Sequence, residues 1–402
     1  MSEIVKDRIT NFVIHLAPDV NPYQATADYV ANFLLPCTLP SWSRYVEFVI
    51  LAGFLIMFSQ ASYILYVRSK TKKIYHIGLN DMGLIQYDRA NHCGLFYFLY
   101  SILGMTQIVV QPFVRNGHLD QGGPDFLLGI QFTLKSGCSG VVSWLAICHC
   151  LSVQGYVFRR STPVGQFLSA PVTWAMNVSS VMIFLGPTVT CIISYYQVAM
   201  EYHRIRQLVM PVVDILRDEA STCAIETCTV IHMIPRLLSL ITRVSHHIDL
   251  LVHWCRIGTG SYLFFDGCII VIYIPLLYRL FRSFKAQRRL FRGSQRQQDR
   301  IFANTLIEFA IILITFVLCF FSMTLIQEGD FIFNPSYFLV LRIGVHGVLA
   351  TLGNIALFLI ICSYRETDIE PPKVHIPNLP SFQAAGFSKS DQNVSPSCYP
   401  YL

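Results

Sequence analysis

Four ionisable residues stand inside long apolar stretches of the chain and are the first candidates for chemistry: Asp266, Glu308, Arg342 and His346. A charge at the centre of a membrane-spanning helix costs roughly 2.5–3.5 kcal/mol, so it persists where it is paired or functional. Asp266 lies seven residues into one stretch and Arg342 six into another. At a rise of 1.5 Å per residue, both sit about 10 Å below the same surface. There they can face one another across a cavity, with His346 one turn beyond Arg342 on the same helix face. The group reads either as a pocket whose polar anchors hold a ligand, or as a structural ion pair with side chains reaching toward the surface. Glu308, near Asn304, enters its stretch from the opposite side, within reach of basic residues there.

A second set is basic. From Arg279 to Arg300, eight basic residues accompany one acid, Asp299. Arg282, Lys285, Arg289, Arg292, Arg296 and Arg300 recur at three- and four-residue spacing, which on a helix is one face. Arg159 and Arg160 close an earlier apolar stretch in the same manner. The functional reading is docking of an acidic intracellular partner such as a heterotrimeric G protein. The plainer reading is topology control and attraction to anionic lipid, worth about 1 kcal/mol per basic residue.

Cysteines form the third set. Cys138 is read at the outer end of an apolar stretch, and Cys223 and Cys228 in a long outer segment. A bridge from Cys138 to either one would pin that segment over the bundle; the alternative is three free thiols. Cys37 and Cys255 are a second candidate pair. Cys148-His149-Cys150 offers metal-binding side chains, but consecutive helical positions point in different directions. His246 and His247 with His253 and Cys255 make a slightly better set. No metal site and no cofactor is expected.

The elements that must position these residues are membrane helices. Hydrophobic residues make up 53% of the 402 and charged residues only 13%, against roughly 25% charged in a soluble domain. Mean hydropathy is +0.48. That excludes a disordered chain, a fibrous chain and an ordinary water-soluble enzyme. A span needs about 20 mostly apolar residues, and seven such stretches are present: 45–67, 93–113, 136–158, 170–195, 259–278, 301–326 and 336–364. An apolar lead-in at 126–134 precedes the third. Pro187 and Pro275 are expected to kink their helices. With the N-terminus outside, eighteen of the thirty basic residues fall on inner segments and ten on outer ones, as the positive-inside rule asks. The first residues lack the basic and apolar regions of a signal peptide.

The expected fold is therefore all-α: a polytopic seven-helix bundle over 45–364, an extracellular segment over 1–44 and a disordered cytoplasmic tail over 365–402. Residues 200–258 are too charged to span and too apolar for a plain loop. Ile234, Leu237, Ile241, Val244, Ile248 and Leu251 recur at helical spacing with Arg236, Arg243, His246 and His247 between them. This predicts an amphipathic helix over about 229–254, with a shorter one over 208–217, lying on the outer face. The competing reading is an eighth, polar span. The sequons at Asn177 and Asn393 fall inside a span and in the tail, so neither marks the outside.

The layout resembles G-protein-coupled receptors: seven spans, an outer N-terminus, the Cys138–loop bridge, Arg159-Arg160 after span three and a basic third inner loop. The resemblance covers 45–364 and is one of plan. Where rhodopsin-like receptors carry D-R-Y the chain reads Tyr156-Val157-Phe158-Arg159-Arg160. Where they carry N-P-x-x-Y it reads Asn354-Ile355-Ala356-Leu357-Phe358, and span six has no proline. Divergent receptors, such as fungal pheromone or invertebrate chemoreceptors, fit better. The resemblance implies a plasma-membrane receptor for an extracellular ligand. A transporter or channel whose path is lined by Asp266, Arg342 and Glu308 is the main competitor; a membrane organiser acting through its outer helices is a third reading. No span-seven lysine, hydrolase, metalloprotease or phosphate-binding motif is present, so no enzyme is expected. The partners expected are the lipid bilayer, not nucleic acid, and the G protein.

Overall fold

The computed structural model describes residues 2–17, 19–33, 40–70, 78–80, 82–159, 169–222, 234–290, 295–328 and 335–367. The elements are helices α1 (Ser2–Ile14), α2 (Pro22–Phe33) and α3 (Trp42–Lys70), a hairpin of β1 (Gly78–Leu79) and β2 (Ile85–Gln86), then α4 (Arg89–Arg115), α5 (Gly122–Arg159), α6 (Ala170–Thr222), α7 (Ile234–Leu290) and α8 (Gln295–Glu328). The last helical stretch runs α9 (Pro335–Phe338), a π-helical segment Leu339–Val345, α10 (His346–Val348), a second π segment Leu349–Gly353 and α11 (Asn354–Thr367).

Among the described residues, six stretches are long and apolar enough to cross a membrane: within α3, α4, α6, α7, α8 and 339–362. Their outward faces are as apolar as their inward ones. Along α3, Ile50, Phe54, Met57, Ala61 and Ile64 are buried at helical spacing, while Tyr45, Phe48, Val49, Leu55 and Ile56 stand exposed. The third expected span falls on α5. This is one helix from 122, although the side chains of 149, 150 and 152–159 lie outside the described residues. Helix α5 packs against α4, α6, α7 and α8. It is therefore the central helix, and its polar side chains Gln131, Lys135, Ser136, Ser139 and Ser143 are buried against protein.

Residues 200–258 differ from the expected surface helices. Their described parts are continuations of α6 and α7, which form an antiparallel pair running beyond the apolar bundle. The predicted stripe is buried at Leu237, Ile241, Val244, Ile248 and Leu251, together with Val209, Val213 and Leu216 of α6. What covers it is the N-terminal segment: α2 packs on α6 and α1 on α7. Asn21 Nδ2 donates to the Ala220 carbonyl at 3.1 Å, and the Phe12 and Tyr29 rings stack at 3.9 Å. The result is a four-helix cap on one end of the bundle. Helices α6 and α7 continue through Pro187, Pro211 and Pro275.

The α4–α5 turn joins the same end, where Arg206 donates to the Gly117 carbonyl at 2.8 Å. Arg256 reaches the carbonyls of Ile326 and Gln327 at the C-terminus of α8, both at 3.4 Å. At the opposite end the hairpin turns through Gly83, whose φ of 75° favours glycine. Asn177 holds it, accepting from the Ile85 amide and donating to the Gly83 carbonyl, each at 2.9 Å. Trp144 Nε1 donates to the Ile85 carbonyl at 2.7 Å. Nearby, Arg68 pairs with Asp88, whose carboxylate also accepts from the amides of Ala90 and Asn91 as the N-cap of α4.

Candidate functional site

The backbone singles out one place first. Among the described residues, π-helical turns occur in 339–345 and 349–353, and His346 lies between them. A π turn carries an extra residue and loses ideal hydrogen-bond geometry, and such turns recur at functional sites. His346 is buried, with its Nε2 2.9 Å from Gln107 Oε1 and its Nδ1 3.0 Å from the Tyr100 hydroxyl. Gln107 Nε2 donates to the Pro124 carbonyl at 3.3 Å, which orients its amide oxygen toward the imidazole. Nε2–H therefore donates to Gln107, while the Tyr100 hydroxyl can donate to Nδ1 or accept from it according to the ring's protonation. The Phe54 ring meets His346 edge-on at 5.7 Å.

A cleft reaches this histidine between α3, α4 and the last helix. It is lined by Glu47, Ile50, Gln107, Ile108, Gln111 and His346 and is narrow: its cavity volume is about 20 Å³, room for roughly one water molecule. Arg115 and Glu47 pair at 2.6 Å beside it. The last helix is seated on α3 by a close approach. A Cβ on Gly53 would stand 2.9 Å from the Ala350 Cβ. Asn354 bridges the two helices, donating to the Gly53 carbonyl at 2.8 Å and to the Ala350 carbonyl at 2.5 Å.

The other expected anchors are arranged differently. Asp266 is fully buried and pairs with Lys135 of α5 at 2.5 Å, and the Lys135 ammonium lies 4.8 Å from the Tyr262 ring centre. The expected partner of Asp266, Arg342, has its side chain outside the described residues. Of the two candidate ligand residues whose side chains are described, His346 lines the cleft and Asp266 does not. Glu308 is buried, with the Tyr97 hydroxyl 3.3 Å from both its oxygens and Arg89 near enough to act on it electrostatically.

The Cys138 expectation is corrected. Because α5 begins at Gly122, Cys138 sits deep within the helix rather than at its outer end. Its thiol faces Cys93 of α4, with the sulfurs 3.5 Å apart and both thiols free. Cys223 and Cys228 lie outside the described residues. In the cap, His247 pairs with the buried Glu201 at 2.7 Å, and Arg204 reaches the same carboxylate at 2.5 Å. The set of His247 with His246, His253 and Cys255 is not gathered around a common point. At the basic end, the backbone of α7 is helical through Lys285 to Leu290 and that of α8 from Gln295, and residues 291–294 lie outside the described residues. Arg282 is exposed. The side chains of Arg159, Lys285, Arg289 and Arg296, and all of Arg160 and Arg292, lie outside the described residues.

Sequence reasoning missed Lys135, Tyr97, Tyr100, Gln107 and Cys93. Lys135 had a usable signal: a single cation between two apolar runs needs a carboxylate, and Asp266 is a conspicuous one. Gln107 and Gln111, one turn apart in an apolar stretch, also mark a polar stripe facing protein. No family model, curated protein or solved structure matches the chain. A narrow cleft, a buried histidine and a helix of irregular pitch meet at one residue.

Proposed function

We propose that the chain is a divergent seven-span membrane receptor that takes a small polar ligand at the narrow cleft beside His346, which widens to admit it. The observation that carries this reading is that the cleft ends on the residue between two π turns. A ligand that replaces Tyr100 or Gln107 at the imidazole changes which register of the last helix is favoured. Binding then shifts a two-state population by its differential affinity for the two registers. In this reading the cap and N-terminus are extracellular, the tail is cytoplasmic, and the basic face of 279–300 meets a G protein at the plasma membrane. Asp266 and Glu308 are fully buried and do not line the cleft, which favours a receptor over a permeation path through them.

The test uses cells expressing the full chain tagged after Leu402, screened with a library of small polar compounds. Tag access only after permeabilisation, and a second-messenger response lost in His346→Ala at equal surface level, support the reading. Ion flux or compound accumulation that survives without any second-messenger response overturns it in favour of a transporter or channel.

A further inference from the structure

Cys93 of α4, Cys138 of α5 and Glu308 of α8 meet in the bundle interior. Their sulfurs and a carboxylate oxygen all lie within 4.8 Å of one another, and all three residues are buried. We propose that these three side chains bind a thiophilic divalent cation of the zinc class, tying the three helices together.

Four observations converge on this assignment. The Cys93 and Cys138 sulfurs are 3.5 Å apart, close to the roughly 3.8 Å that two thiolates span on one tetrahedral zinc with Zn–S of about 2.3 Å. Thiolates select zinc over magnesium or calcium, and the single carboxylate completes a three-ligand set that leaves the fourth position of a tetrahedron open. The Tyr97 hydroxyl, 3.3 Å from both oxygens of Glu308, is a hydrogen-bond donor that holds the carboxylate in place, as ligating carboxylates are usually held. The charges also close. Two thiolates and one carboxylate exceed a divalent cation by one negative charge, and Arg89 lies near enough to act electrostatically on Glu308. On binding, the two thiol protons leave to solvent and two S–metal bonds form, with no change of oxidation state. The site is independent of the His346 cleft and of the receptor reading.

The test titrates the full-length protein, in detergent with a non-thiol reductant, with Co²⁺ alone and then Zn²⁺. The expected result is one Co²⁺ per chain with thiolate-to-cobalt absorption that Zn²⁺ bleaches. That absorption should vanish in Cys93→Ser and Cys138→Ser, weaken at least tenfold in affinity in Glu308→Gln, and persist in Cys268→Ser, whose thiol is exposed. Absence of the band in the wild-type chain, or a band unchanged in both serine variants, overturns the proposal. So does a Cys93–Cys138 disulfide found by mass spectrometry in the protein purified under reductant. Should the serine variants aggregate, zinc-edge X-ray absorption on the wild-type chain decides. Two sulfurs at about 2.3 Å with oxygen at about 2.0–2.2 Å support the site, and four sulfurs or none overturn it.

Discussion

Helices α6 and α7 each pass through two regions, and the halves of each follow opposite rules. In the apolar bundle, α6 turns Trp174, Met182, Leu185, Val189 and Ile193 outward and keeps Ser180, Cys191 and Ser194 inside. Beyond residue 200 the pattern reverses. Ile205, Val209, Val213 and Leu216 are buried, while His203, Arg204, Gln207, Arg217 and Asp218 are exposed. The cap is assembled by removing apolar surface from water, at roughly 25 cal/mol per Å². The bundle has no such drive between helices in lipid and relies on close packing and interior polar contacts. Gly53 against Ala350, and Lys135 against Asp266, are those two devices at work.

The largest effect expected from this contrast is at the buried ion pair. Lys135→Ala leaves the Asp266 carboxylate buried without its cation and should cost about 3–5 kcal/mol, whereas Lys135→Met with Asp266→Leu should recover most of it. Thermal unfolding of the purified variants reads both, and equal losses in the single and double variants would mean the pair is not the bundle's organising contact. Next comes a matched comparison along one helix. Leu185 is 51% exposed and Ile215 is 44% exposed, both on α6. Leu185→Lys should cost about 2.5–3.5 kcal/mol of membrane insertion, while Ile215→Lys should stay within about 0.5 kcal/mol. Yields of membrane-integrated protein separate the two, and similar behaviour would erase the distinction between bundle and cap. The smallest effect belongs to the cap surface. Arg217 and Asp28 pair at 3.5 Å with both side chains about half exposed, so Arg217→Ala should change the melting behaviour by no more than about 0.5 kcal/mol.

Much of this was legible in the residues. Helical spacing located the stripe from Leu237 to Leu251, and five of its expected members are buried. Periodicity could not say what covers that stripe, because a helix on lipid and a helix under α1 and α2 carry the same pattern. The N-terminal 44 residues read as a short segment with four prolines, and nothing local reveals that their partners lie some two hundred residues away. Hydropathy also misplaces the start of α5. Lys135 lowers the local average, so the span reads as beginning after it, at 136, whereas the helix starts at Gly122. That one shift moves Cys138 from mid-helix to a helix end and hides both its neighbour Cys93 and the partner of Asp266. His346 stands out because a lone imidazole in an apolar run is conspicuous; the π turns around it have no spacing signature to read.

The docking of α1 and α2 onto the far ends of α6 and α7 also sets a timetable for synthesis. Asn21 meets Ala220 across a sequence separation of 199 residues. At 5–20 residues per second, α2 emerges about 10–40 s before the surface that covers it. During that interval Ile9, Val13, Tyr23, Ala27 and Val30 have no native shelter. These early helices are thus among the last to be buried, and a nascent chain stalled before residue 200 displays an apolar handle that marks it as unfinished.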